Sequence, residues 1–353
     1  MYLALIAVLV LAGAVLVHRG MARGRRLAVA GGVVIWAVTL AVFGLLSWWG
    51  ELLWFDALGF EDRFWTVVTA EFGLLAVGAV LGALVVYLLT LPIRGDRKLA
   101  RAWPEAAGAI IGGMFGFNGW QEVMVFLNRA SFGMADPILG RDAGFYLFVL
   151  PFLDLVYRLL FMLTLVSLAA ALAAVLLRPA GEALRLQTLD PDRDHAQARV
   201  PLAAVLLVFA GGQYLNRFHL LTSELGVVTG PGWTDVHVRM PALLLIVAVA
   251  AAAGVVLLIP RLSRWPGRLL RRRRAPQQVQ EVANLVAPPG VVAALWFLAL
   301  AAAPALTQWL RVEPNEITME RDYIAHNIRF TRYAFGMDDV EERSEERRVG
   351  KEC

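Results

Sequence analysis

Eight stretches of this chain carry no formal charge at all: 2–17, 27–50, 72–93, 106–121, 159–177, 200–216, 240–260 and 282–310. A helix rises about 1.5 Å per residue, so about 20 apolar residues cover a hydrocarbon core about 30 Å thick. Several of the stretches reach that length, and soluble proteins do not bury such helices in series. The bilayer core offers no water to satisfy backbone N–H and C=O groups, so a stretch that enters it must be helical. The chain is therefore read as all-α, a polytopic transmembrane bundle of about eight helices.

Composition narrows the partners. Hydrophobic residues make up 59% of the chain and charged ones 18%, against about 25% charged in soluble domains. The net charge of +4 sits in short segments between spans, which is a membrane pattern rather than a nucleic-acid face. The expected partner is the lipid bilayer, with envelope proteins or a second copy beside it, and no nucleic acid. The one cysteine, Cys353, allows neither a disulfide framework nor a cysteine metal site.

The charged segments give an orientation. Arg19, Arg23, Arg25 and Arg26 share 18–26 with no acid; Arg94, Arg97, Lys98 and Arg101 share 94–101 with Asp96; seven arginines, Arg271 to Arg274 among them, occupy 261–274. Segment 51–63 instead holds Glu51, Asp56, Glu61 and Asp62 against Arg63. Basic residues near span ends stay cytoplasmic, which puts 51–63 outside. An even number of crossings must then separate 94–101 from 261–274. Three spans are clear there, at about 151–177, 200–216 and 240–259, so 105–127 is needed as a fourth. It carries Gly108, Gly112 and Gly116, a spacing that places three glycines on one helix face for close packing. The arrangement is that of a cell (inner) membrane protein with an external C-terminus.

Ionisable residues at mid-depth cost about 2.5–3.5 kcal/mol each and mark proton or ion paths. Here they stand near span ends: Glu71, Glu122, and Asp154 with Arg158, a pair spaced to interact along one helix face. A proton-coupled path is disfavoured. Histidines 18, 195, 219, 237 and 326 show no metal-binding spacing, and no catalytic or nucleotide-binding motif is present, so no cofactor and no catalytic residue is expected. Asp136 and Asp142 are the only metal candidates, and a weak pair. Two carboxylates are a thin ligand set for a hard cation, and turn-forming roles suit them better.

Three segments are distinctive. Residues 53–60 read Leu-Trp-Phe-Asp-Ala-Leu-Gly-Phe, with Trp54, Phe55, Asp56 and Gly59, followed by Phe64-Trp65. Segment 132–151 holds Asp136, Pro137, Asp142, Phe145, Tyr146 and Pro151. The polar segment after the last span opens on Asn315 and Glu316, and its apolar positions Ile317, Tyr323, Ile324, Ile328 and Phe335 suit an amphipathic helix lying on something larger. On these three ordered motifs the chain resembles an uncharacterised bacterial membrane family, protein family 0182, over about residues 27–340. The resemblance implies seven transmembrane helices followed by a large external domain, and it implies no reaction.

The expected organisation is an extra N-terminal anchor and basic loop over 1–26, a helical membrane domain over 27–310, and the start of an external domain over 311–343. Residues 344–353 do not resemble the family and read as a non-native tail, as though the chain were a truncated member. The leading functional expectation is a membrane base that anchors an external domain for envelope interaction or assembly. The alternatives are a permease or lipid-handling transporter, and a membrane-bound enzyme whose active site lies in the external domain.

Overall fold

The structure, a computed structural model, describes residues 2–93, 102–176, 191–224, 229–272, 276–337 and 340. The basic stretch 94–101, most of the connector 178–199, Arg273, Arg274 and the tail from 341 lie outside the described residues. Among those described the architecture is helical, with one isolated bridge between Ala135 and Asp142. Seven of the described helices are long and apolar enough to cross a membrane. Contacts divide the chain into two compact units, Met1–Gly73 and Leu74–Cys353.

In the first unit, α1 (Tyr2–Ala22) and α2 (Arg26–Ala57) form an antiparallel hairpin through a turn at Gly24, whose φ is +64°. Glycines let the two backbones approach, since a Cβ on Gly32 would lie 2.7 Å from the Gly13 carbonyl oxygen. The Trp36 indole N–H donates to the Val10 carbonyl at 3.0 Å.

The helix α2 continues into the aromatic segment that begins at Leu53. It stops only at Ala57, and α3 (Glu61–Leu89) starts four residues later. The turn is a helix cap of the Schellman type. Phe60 N–H donates to the Phe55 carbonyl and Gly59 N–H to that of Asp56, both at 2.9 Å. Gly59 has φ +76°, a conformation that costs a residue with a Cβ and suits glycine. Phe64 is buried against Phe55 and Trp65.

In the second unit, residues Leu74–Leu89 of α3 lie antiparallel to α4 (Ala102–Asn118). Gly78 meets Gly112, Gly82 meets Gly108, and Leu74 meets Gly116, each through backbone carbonyl contact. A Cβ on Gly108 would sit 2.6 Å from the Gly82 oxygen. The contact runs from Leu74 to Val86, about 18 Å at 1.5 Å per residue. At 17 residues α4 falls short of the length of the seven candidate spans, and it packs antiparallel along α3. Gly119 ends it, and a short helix α5 (Trp120–Leu127) comes next.

The rest of the bundle is α6 (Leu150–Leu176), α7 (Pro191–His219), α8 (Met240–Leu258), α9 (Trp265–Arg272) and α10 (Gln277–Phe297). A polar helix α11 (Glu316–Ala334) continues the last span. Packing runs α4 to α6 to α7 to α8, with α10 against α7 and α8. Small residues at the centre, Ala203, Ala210 and Ala250 beside Leu206, Leu257 and Val292, let the helices close up as lipid-embedded helices must. At one end Asn284, buried in α10, accepts the Gly267 N–H at 2.7 Å and ties α9 to α10.

Among the described residues, four short π-helical segments interrupt the bundle, at Phe145–Val149, Asp235–Arg239, Leu298–Ala302 and Gln308–Val312. Each inserts extra backbone into a helix, frees carbonyls from regular pairing, and recurs in proteins where a helix is shaped for function.

Candidate functional site

The end of the bundle opposite α9 collects the loop 128–144, residues 219–224 and 229–239, and the start of α11. Phe145 at the head of α6 packs on Phe218 at the tail of α7, with ring centroids 4.8 Å apart. The carboxylate of Asp154 on α6 reaches His219 on α7 at 2.9 Å. This replaces the expected pairing with Arg158, whose Nε donates instead to the Asp154 main-chain carbonyl at 3.3 Å. A longer-range partner on the neighbouring helix took the carboxylate that i, i+4 spacing had assigned locally.

Two aspartates organise the loop. Asp142 accepts from the backbone N–H groups of Gly144 at 2.7 Å, Gly133 at 2.9 Å and Phe132 at 3.1 Å, and from the Ser131 hydroxyl at 2.9 Å. Donors aimed at the charged form favour it, and the Phe132 and Gly144 amides above all hold the Asp142 carboxyl below the usual carboxylate range. Asp136 accepts from the amides of Ile138 at 2.8 Å, Leu139 at 3.0 Å and Arg141 at 3.2 Å, and from the Tyr146 hydroxyl at 2.8 Å. Pro137 opens the turn that brings those amides round, and Gly133 and Gly140 supply left-handed backbone at φ +70° and +66°.

The carboxylate oxygens therefore face loop donors. No group of three or more acidic or histidine side chains placed to hold a metal occurs among the described residues. Phe145, Tyr146 and Pro151 lie on the rigid entry to α6, where Tyr146 ties the loop to the bundle.

A second polar cluster joins residues of the distinctive segment after the last span to the 229–239 segment, a pairing the sequence did not indicate. Glu320 of α11 is 3% exposed and accepts the Trp233 backbone N–H at 3.1 Å. Asn327, two turns along, donates to the Thr229 carbonyl at 2.6 Å. The guanidinium of Arg311 lies 4.8 Å above the Trp233 ring, which stacks on His237, and the Tyr323 hydroxyl lies 3.4 Å from His237 Nδ1. Beneath them Asp235 is fully buried, bonded to Arg239 at 2.7 Å and to the Gly232 N–H at 3.2 Å. Thr234, 1% exposed, donates to the Gln308 side-chain oxygen at 2.5 Å.

The helix α11 thus docks through polar residues. Of the apolar positions that suit a helix lying on something larger, Tyr323 and Ile324 are half-buried, while Ile317, Ile328 and, at the C-cap, Phe335 are exposed. Asn315 and Glu316 are exposed at its start, where Asn315 donates to the Arg311 carbonyl at 3.4 Å. A buried acid in a polar segment has no periodicity to announce it, and its partners lie 87 residues away.

Next to this cluster, α7, the head of α8 and the end of α10 enclose a half-open cavity of about 1000 Å³. Its polar part includes Gln213, His219, Ser223 and Arg239; Leu243, Trp296 and Leu300 form its apolar part. Three of the π-helical segments contribute lining residues, namely Arg239, then Leu300 with Ala301, then Gln308.

Comparison with known proteins fits these motifs. The model of an uncharacterised protein family, UPF0182, matches residues 28–351. A UPF0182 protein of Geobacter sp. (strain M21) is 32% identical over 328 residues, covering 84% of this chain and 34% of its own length. One from Synechococcus sp. (strain JA-2-3B'a(2-13)) is 34% identical, covering 86% of this chain and 36% of its own. One from Corynebacterium efficiens is 30% identical, covering 86% and 31%. The chain spans about a third of the length of these curated relatives. No solved structure matches. With the family model covering nearly the whole bundle and relatives of this similarity, the chain belongs to the uncharacterised protein family UPF0182.

Proposed function

We propose that this chain is a multi-pass membrane base that grips the root of an external domain and holds it at a set angle for envelope interaction or assembly. The observation that carries this reading is the buried clamp on α11. Glu320 and Asn327 reach main-chain atoms of the 229–233 turn, while α11 is continuous in helix with the span from Val282. A tether needs no such contacts, whereas two main-chain hydrogen bonds and a cation over an aromatic ring fix both tilt and rotation. The exposed Ile317, Ile328 and Phe335 on the same helix offer apolar surface for an external domain to pack on. The relatives, about three times as long, carry further chain to cover it.

Replacing Glu320 with alanine leaves the half-buried Trp233 N–H without its acceptor, at about 1–3 kcal/mol. Trypsin cleavage at Arg321, Arg329 and Arg332 in the membrane-embedded protein should then quicken about tenfold, a rate factor equivalent to about 1.4 kcal/mol of local opening. E320Q, which keeps one acceptor, should be affected less. Equal cleavage of the E320A variant and the parent protein would remove the clamp from the reading.

Orientation has its own test. In a C353S background, cysteines at Ala57 and Leu139 should react with an impermeant thiol reagent in intact cells, and one at Arg268 only after permeabilisation. Labelling at Leu139 that required permeabilisation would invert the loop 128–144 and the docking end with it.

A further inference from the structure

We infer that the half-open cavity between α7, α8 and the end of α10 is a binding site for a zwitterionic phospholipid whose headgroup carries a phosphate and a primary ammonium. The cavity combines features that a packing defect lacks. Its volume, about 1000 Å³, matches the upper range of ligand pockets. Its lining is mixed, apolar at Leu243, Trp296 and Leu300 and polar at Gln213, Ser223, Arg239 and Gln308.

Donors in the lining are left with capacity. Gln213 is 5% exposed and uses its side-chain oxygen to accept from Asn216 at 3.3 Å, while Gln308 uses its oxygen for Thr234. In both, the amide N–H groups remain for a ligand. Arg239 is held in place by Asp235 and Ser223 through one terminal nitrogen, Nη1, leaving Nη2 to donate. Two amides and a guanidinium suit phosphate oxygens.

The same cavity is lined by two carboxylates, Glu224 and Glu313, both exposed. With Asp235 already opposing Arg239, they leave the lining short of positive charge. A purely anionic headgroup would meet repulsion there, and a phosphate joined to an ammonium meets both signs. A primary ammonium also has three N–H donors for the carboxylates, which a quaternary amine lacks. The π-helical segments at Asp235–Arg239, Leu298–Ala302 and Gln308–Val312 each contribute residues to this lining. The site does not depend on the clamp at Glu320.

The test uses the 353-residue chain in nanodiscs of phosphatidylcholine doped with equal fractions of phosphatidylethanolamine and phosphatidylglycerol, with native mass spectrometry of the lipids retained on release. Phosphatidylethanolamine should be retained about three- to tenfold over either competitor, the range that one or two half-exposed ion pairs supply. The double variant E224Q/E313Q, altered only at exposed positions, should lose that preference while still retaining phospholipid. Ala301→Phe, which fills the apolar part, should reduce all retained lipid. Equal retention of the three lipids by the parent chain would overturn the inference, as would a preference untouched by E224Q/E313Q. Displacement of bound lipid by soluble glycerophosphoethanolamine would also overturn it, in favour of a water-soluble zwitterion.

Discussion

Gly112→Ile should abolish stable accumulation of the protein in membranes, whereas Gly211→Ile should leave it near the parent level. A Cβ at position 112 would run into the Gly78 carbonyl group and the Gly82 Cα at 3.0 Å, which are backbone atoms that no rotamer change can move. The sec-butyl side chain then needs a separation of α3 from α4 along their whole contact. Overpacking typically costs about 1–3 kcal/mol, and sites closed by backbone lie at or above the top of that range. Gly211, on α7, has nothing within 4 Å of the equivalent atom and serves as the control for inserting a β-branched residue into a helix. Immunoblot of membrane fractions and thermal unfolding in detergent read both. Comparable levels for the two variants would mean that α3 and α4 do not meet through their glycines.

Asp142→Ala should free the loop 128–144 from its folded form, because a single side chain receives Phe132, Gly133, Gly144 and Ser131 together. Hydrogen exchange at the Phe132, Gly133 and Gly144 amides should accelerate to near the unprotected rate, with the amides of α7 unaffected. Asp142→Asn, which keeps an acceptor but loses the charge, should fall between. The pH dependence has a definite sign. The folded carboxyl is depressed below the ordinary carboxylate range, so its contribution is present in full above that range. It is lost only as pH falls through the lowered folded value. Loop protection should therefore persist while free aspartates protonate and disappear further down. Protection that vanished already in the ordinary carboxylate range would show that the amides do not converge on Asp142.

The glycine positions show how far the sequence could be read. Gly108, Gly112 and Gly116 announce a packing face by spacing alone, but their partners on α3, Gly78 and Gly82, are found only when the helices are laid together. The same holds for charge. Asp154 and Arg158 satisfy a local rule, and the folded chain gives Asp154 to His219, 65 residues away. Glu320, Asp235 and Thr234 are buried against all compositional expectation, because each is satisfied by groups brought together from α11, residues 229–239 and the π-helical segment Gln308–Val312.

What the sequence by itself determined is the helical, membrane-embedded class of the chain and the identity of its motifs. The physics behind this is local and one-dimensional: long apolar runs without charge must be helical in lipid, and Asp, Pro and Gly at fixed offsets must turn. What only the tertiary structure decided is which turn receives α11, which helices line the cavity, and that Asp136 and Asp142 face loop amides. Those outcomes depend on which distant donors arrive within about 3 Å of each acceptor, and hydrogen bonds between remote segments leave no period or spacing in the chain that makes them.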